Sequence, residues 1–306
     1  MSQHSRWFGI SFGLLAMLAG CDLVGPSTPE VVWGIRGTRP GWLHKPRVAA
    51  FDGSDQLYIA DLTDRIQVFD RDGGFLRHWR MPALNVDGPS GLTVDRQGRV
   101  LIADTHFYRV MIYSRDGELR MQIGDGVQGT EPGRFGYPTD VVCDSQGNFY
   151  VCEYGENDRV QVFSPEGRWL RQWGGHGSEP GQFLKPRGMV IDERDRLYVC
   201  DSCNHRIQVF DTQGRLLAMW GQRGSAAGEM AYPYDLAMGP DGTLYVAEYA
   251  NHRVQRFSRD GQSLGTWGAP GRGPGQLNSP WALAVDSQGC VSVIDTLNHR
   301  VQRFRM

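Results

Sequence analysis

Asp201-Ser-Cys-Asn-His-Arg-Ile-Gln-Val-Phe210 is the stretch that decides the fold, because its second half recurs along the chain. Arg206-Ile-Gln-Val-Phe210 returns as Arg65-Ile-Gln-Val-Phe69, Arg109-Val-Met-Ile-Tyr113, Arg159-Val-Gln-Val-Phe163, Arg253-Val-Gln-Arg-Phe257 and Arg300-Val-Gln-Arg-Phe304. The arginines are 44, 50, 47, 47 and 47 residues apart. The register inside each unit is tighter. A proline opens it (Pro46, Pro89, Pro138, Pro186, Pro233, Pro280), and 6 residues on stands Asp52, Asp95, Asp144, Asp192, Gly239 or Asp286. Another 9 residues reach an acid: Asp61, Asp104, Glu153, Asp201, Glu248 or Asp295. Trp79, Ile123, Trp173, Trp220 and Trp267 lie 14 residues beyond the first five arginines. Fixed registers with variable loops mean rigid strands joined by tolerant turns.

Each unit reads as four short strands. The first follows the proline, which is permitted at a strand's first residue. An Asp-x-x-Gly type of turn leads to the second, the Arg-Val-Gln-x-Phe run is the third, and a Ser-x-x-Gly or Asp-x-x-Gly turn leads to a fourth ending at Trp-Gly. The runs are β-branched or aromatic, with Gly and Asp between them. Six such units at ~40–50 residues predict an all-β, six-bladed β-propeller of four-stranded blades. The ends argue for closure. The sixth unit stops at Met306 without a fourth strand, while Val31-Val32-Trp33-Gly34 is an orphan fourth strand. Trp33 precedes Pro46 by 13 residues, the interval from Trp173 to Pro186, Trp220 to Pro233 and Trp267 to Pro280. The N-terminal strand 31–34 is therefore expected to complete the last blade and remove an exposed edge.

The pattern Asp/Glu-x-x-Asn-His-Arg-Val/Ile-Gln-x-Phe, with Trp-Gly-x-x-Gly and Pro-Gly-Gln-Phe between units, resembles the NHL repeat over about 31–306. It is full in Asp201–Phe210, Glu248–Phe257 and Asp295–Phe304, and looser in Asp61–Phe69 and Asp104–Tyr113; 80–88 lacks the Gly-rich linker. The resemblance implies a propeller used as an interaction platform, an RNA binder or a peptidyl-hydroxyglycine amidating lyase. The lyases carry zinc histidines directly after the opening proline in several blades. Here those positions hold Arg47, Ser90, Thr139, Arg187, Tyr234 and Trp281, and His44 stands alone before Pro46.

Ahead of the repeat, Met1–Arg6 is a short basic lead, Trp7–Leu18 is apolar, and Leu18-Ala19-Gly20-Cys21 closes it. This resembles a bacterial lipoprotein signal. A dozen apolar residues fall short of the ~20 needed to span a bilayer. The expected organisation is a signal over 1–20, a lipid-anchored tether over 21–30 beginning with lipid-carrying Cys21, and a propeller over 31–306 facing the periplasm. Asp22 resembles an inner-membrane retention residue. A formal net charge of −2 disfavours nucleic acid as partner. No cofactor is expected; the expected partners are the membrane, through Cys21, and a periplasmic or membrane protein.

The repeated acid and arginine flank a strand-to-strand turn in every unit, and an ion pair tying that turn explains six copies. His205, His252 and His299 repeat in the same way and read as turn residues rather than zinc ligands. Cys143, Cys152, Cys200, Cys203 and Cys290 are an odd set for an oxidising compartment. Cys152 and Cys200 fall in a small-residue core column and Cys143 in another, so structural thiols are favoured, with a Cys200–Cys203 disulfide as the alternative.

Function is sought where the repeat stops repeating. First strands begin on the face where second strands end, so the residues after each proline and after each acid share one mouth. The only two lysines lie there, in Lys45-Pro46-Arg47 and Lys185-Pro186-Arg187, on the first and fourth units and hence opposite across the axis. Asp140 pairs by position with Glu153 and Tyr154; Tyr234 and Asp235 pair with Glu248 and Tyr249; Trp281 adds an aromatic. A charged, aromatic rim suits a peptide, an anionic ligand or a partner protein, in a non-enzymatic interaction module. The bland reading is a rim neutralised by its own salt bridges. The alternative function is a metal-dependent propeller hydrolase or lyase using Asp140, Glu153, Asp235 and Glu248.

Overall fold

The computed structural model describes residues 28–82 and 88–306. The expected signal, lipidated Cys21 and most of the tether lie outside the described residues. Six four-stranded antiparallel sheets make six blades. Blade 4 shows the pattern: Pro186–Ile191, Leu197–Asp201, Arg206–Phe210 and Leu216–Trp220. The two middle strands are buried throughout and the fourth is half exposed. The first strands are Pro46–Phe51, Gly91–Val94, Tyr137–Cys143, Pro186–Ile191, Pro233–Met238 and Ala282–Val285, each packed on the next around a closed ring. Blade 6 is completed by Val31–Trp33, which runs antiparallel to Arg300–Phe304 with Val31 opposite Arg303 and Trp33 opposite Val301. The expected latch is present.

The core is six clusters, one in each seam between neighbouring blades. The spaced tryptophans fill the seams from outside. Trp173 of blade 3 covers Gly214 in the outer turn of blade 4, and Trp220 covers Gly261 in blade 5; a Cβ on either glycine would stand 2.5 Å or less from the ring. Both glycines have positive φ, so the turn and the close approach require Gly together. At the seam of blades 5 and 6 Trp267 stacks on Phe304 at 3.7 Å instead.

In every blade but the second, where Met111 replaces the glutamine, the repeated acid, arginine and glutamine hold the entering linker. Arg206 Nε donates to Asp201 Oδ2 at 2.7 Å, and its remaining nitrogens donate to the carbonyls of Ser178, Glu179 and Gln182 at 2.8–2.9 Å. Gln208 donates to the same Gln182 carbonyl and accepts from Gly181 N–H. Glu248–Arg253–Gln255 and Asp295–Arg300–Gln302 repeat this arrangement. The histidines complete it. Nδ1 of His205, His252 and His299 accepts the backbone N–H of Tyr232, Ser279 and Lys45, the left-handed residue before the next blade's proline. The repeated acid, Arg and His are thus structural, as their repetition implied.

Candidate functional site

Four of the six first strands open with a register shift just after the proline, between Pro46 and Val48, Pro138 and Asp140, Pro186 and Met189, and Pro233 and Asp235. Such bulges re-aim side chains. Here the residue after the proline joins the mouth and the one after that lines the axis.

At the mouth the Arg187 guanidinium lies 5.2 Å from the Tyr154 ring centre and 5.0 Å from that of Tyr234. The Lys185 ammonium lies 5.9 Å from Tyr154. Tyr234 stacks on Tyr249 at 4.6 Å and meets Trp281 edge-on at 5.6 Å. Arg47 sits 4.2 Å over Trp281. Tyr154, Arg187, Tyr234, Trp281 and Arg47 therefore form one arc running from blade 3 through blades 4, 5 and 6 to blade 1. Lys45, Lys185 and Arg187 have no carboxylate partner among the described residues. Lys45 and Lys185 are exposed, and their backbones take up left-handed φ of 47° and 53°.

Sequence reasoning missed Tyr137, which stacks on Tyr154 at 5.1 Å, and Tyr108 and His106, which extend the arc at 5.7 and 6.0 Å. Tyr137 precedes Pro138 as Lys45 precedes Pro46, so the register held the signal. Asp158, in the histidine column of blade 3, was also missed; it accepts from Lys185 N–H and bonds His176 Nδ1 at 2.8 Å.

The four candidate acids separate into two pairs. Glu153 and Glu248 do not join the funnel. Both are buried, bonded to Arg159 and Arg253, and accept linker N–H groups of Gly136 and Ala231. Burial pushes the Glu153 carboxyl up against the pull of Arg159. They belong to the structural column, which corrects their expected place at the mouth. Asp140 and Asp235 do line the axis. Asp140 accepts from Val141 N–H at 2.8 Å and from Met189 N–H of the next blade at 2.7 Å. Asp235 accepts from Leu236 N–H at 2.9 Å and Leu283 N–H at 3.0 Å. Burial pushes Asp235 up to about 7, and burial together with the Asp235 charge holds Asp140 well above the usual carboxylate range.

The five cysteines among the described residues are free thiols, so Cys200 and Cys203 are not bonded. Cys152 donates to the Arg187 carbonyl at 2.8 Å, and burial pushes its thiol and that of Cys200 up. Among the described residues no three or more His, Cys, Asp or Glu side chains gather as a metal site would require.

The NHL repeat model matches residues 135–163, 183–210 and 230–257, which are the first three strands of blades 3 to 5 with the last residues of their entering linkers. Three of the six blades are NHL repeats. Blades 1, 2 and 6 lie outside the match. Over 89 residues, 28% of this chain and 10% of that protein, it is 36% identical to peptidyl-glycine alpha-amidating monooxygenase B of Xenopus laevis. Over 129 residues, 41% of this chain and 36% of that one, it is 30% identical to human NHL repeat-containing protein 3. The chain thus spans about a tenth of the length of the amidating enzyme it matches. A streptogramin B lyase superposes with a TM-score of 0.63 at 14% identity, covering 89% of this chain and 96% of its own; this likeness is one of fold.

Proposed function

We propose that this NHL-type propeller is a non-enzymatic binding module, held at the membrane by lipid on Cys21 and facing the periplasm, that takes an anionic peptide or acidic protein loop at its mouth. The supporting observation is Arg187. It lies between two tyrosine faces, orders no carboxylate of its own, and has Lys185 beside it. A guanidinium held against aromatic rings is partly stripped of water and pre-oriented, which favours a charge-assisted contact with an arriving carboxylate. The bland alternative of self-neutralising salt bridges finds no support at Lys45, Lys185 or Arg187. The hydrolase or lyase alternative loses Glu153 and Glu248 to structural ion pairs, which leaves two carboxyls where a hard cation takes six or more oxygens.

The direct test is binding of a fluorescent hexaglutamate peptide to the full-length protein in detergent. Lys185→Ala with Arg187→Ala should weaken it at least tenfold without lowering the melting temperature by more than a degree or two. Equal binding by the double variant would refute the reading. The anchor is tested separately: Cys21→Ser should abolish palmitate incorporation.

A further inference from the structure

Two positions after each opening proline, the axis is lined by Val48, Gly91, Asp140, Gly188, Asp235 and Ala282 in turn. Small residues alternate with larger ones, and two of the larger ones are acids. The glycines make room for them. A Cβ on Gly91 would stand 2.5 Å from Asp140 Oδ1, and one on Gly188 would stand 2.6 Å from Asp235 Oδ1. Asp140 is 5% exposed, and neither acid has a Lys or Arg partner in any ion pair among the described residues. Their four oxygens receive one backbone N–H each. A carboxylate oxygen offers two lone pairs, so half the acceptor capacity stays unused.

Beneath these acids the axis widens into a cavity of about 320 Å³, walled by Phe51, Leu92, Val142, Ile191, Leu236 and Val285 among others. That is the lower end of the ~300–1,000 Å³ range of small-molecule sites, and the walls mix aliphatic side chains with polar ones, Asp95 and Arg96 among them. The cavity is continuous with a shallow vestibule on the turn face, away from the mouth, which includes Asp52, Asp55, Asp95 and Asp286 beside Arg96. Towards the mouth it narrows to a gap of about 20 Å³ under Tyr234 and Trp281. It is therefore a chamber with aliphatic walls in part, two carboxyls at its narrow end, and at its opening Asp55 beside Asp52, Asp95 and Asp286, which pair with Arg115, Arg99 and Arg71.

We propose that this chamber is a second binding site, for a small primary ammonium with an apolar body that enters from the turn face and ends on Asp140 and Asp235. The mouth plays no part in it. Two interior carboxyls without a cation are costly as a pair of charges, and an arriving cation relieves that cost. An ammonium offers three N–H donors to the unused lone pairs, while its apolar body meets the aliphatic walls. A bare divalent ion would find two carboxyls and hydrocarbon, a poor match to its oxygen demand.

Benzylammonium serves as the probe and benzyl alcohol as its neutral counterpart, each titrated into the full-length protein at pH 7.5 and followed by ligand-observed NMR. Benzylammonium should bind at least tenfold more tightly than the alcohol. Asp235→Asn should erase that preference. Ala50→Trp, which places an indole at the chamber wall, should abolish binding of both probes while hexaglutamate binding at the mouth, which also reports that the variant is folded, persists, so the Ala50 variant decides the matter if the Asp235 variant fails to fold. Equal affinity for the two probes, no binding by benzylammonium, or binding undiminished in Ala50→Trp would each overturn the proposal.

Discussion

Asp235 links a single side chain to the pH response of the whole chain. Folded, its carboxyl keeps its proton up to about 7, because burial disfavours the anion; a free Asp loses its proton near 3.8. Between those values the folded state holds more protons than the unfolded state, so stability falls as pH rises through that window. One group contributes a slope on the order of 1.4 kcal/mol per pH unit there. Asp140 is shifted in the same direction and adds to it. Asp235→Asn cannot accept both N–H groups on oxygen, so at pH 5 it should melt below the wild type. The gap should narrow or invert by pH 8, where the wild-type carboxylate is charged and largely desolvated. Melting curves from pH 4 to 8 check this; parallel curves would show that Asp235 does not titrate as described. The sequence exposed Asp140 and Asp235 as departures from the repeat, but not their separation from Glu153 and Glu248. That separation depends on which side of a bulged strand each carboxyl meets, and residue spacing carries no such information.

A blade is held by its acid–Arg–Gln column more than by any one turn. Arg206 bonds Asp201 and three linker carbonyls with little exposure, and Asp201 has none. Arg206→Ala leaves a buried carboxylate unpaired and three carbonyls unserved, a loss of roughly 3–5 kcal/mol. Arg215→Ala removes a pair whose arginine is 79% exposed and should leave the melting temperature nearly unchanged. Thermal melting of the two variants side by side makes the comparison; equal effects would mean that the column is ornamental. Strand order, blade boundaries and this column were legible because six copies of one spacing leave little freedom. Harder to read were the turns that differ. In blade 3 the acid and arginine are 6 residues apart rather than the 5 of blades 4 to 6, and Asp158 replaces the histidine. The aromatic arc was read only in part, since Tyr137 and Tyr108 lie in columns whose other members are not aromatic throughout.

For the whole molecule the decisive contact is between the first strand of the chain and the last. A propeller ring gains from every seam, so one open seam exposes two blade faces and a free strand edge. Trp33 closes that seam from both directions. Its backbone pairs with Val301 of blade 6, and its ring lies 4.7 Å from Phe69 of blade 1 and against Gly73. The seam cluster beneath joins Ala282, Ile294 and Val301 to Leu57, Ile59 and Phe69. Trp33→Ala removes the ring from both partners; the ring is only partly buried, so the loss should be about 2–4 kcal/mol, below the ~3–5 kcal/mol of fully buried Trp-to-Ala changes. At ~2–4 °C per kcal/mol for large domains, the melting temperature should fall by roughly 5–15 °C. Trp33→Phe should recover part of that loss, because a smaller ring still reaches Phe69. Hydrogen exchange locates the effect: amides of Val301 and Arg303 should exchange faster in Trp33→Ala, while those of Val160 and Val162, across the ring in blade 3, should keep their protection. Uniformly faster exchange in every blade would mean that the ring opens as a unit. An unchanged melting temperature would mean that blades 6 and 1 hold each other without the N-terminal strand.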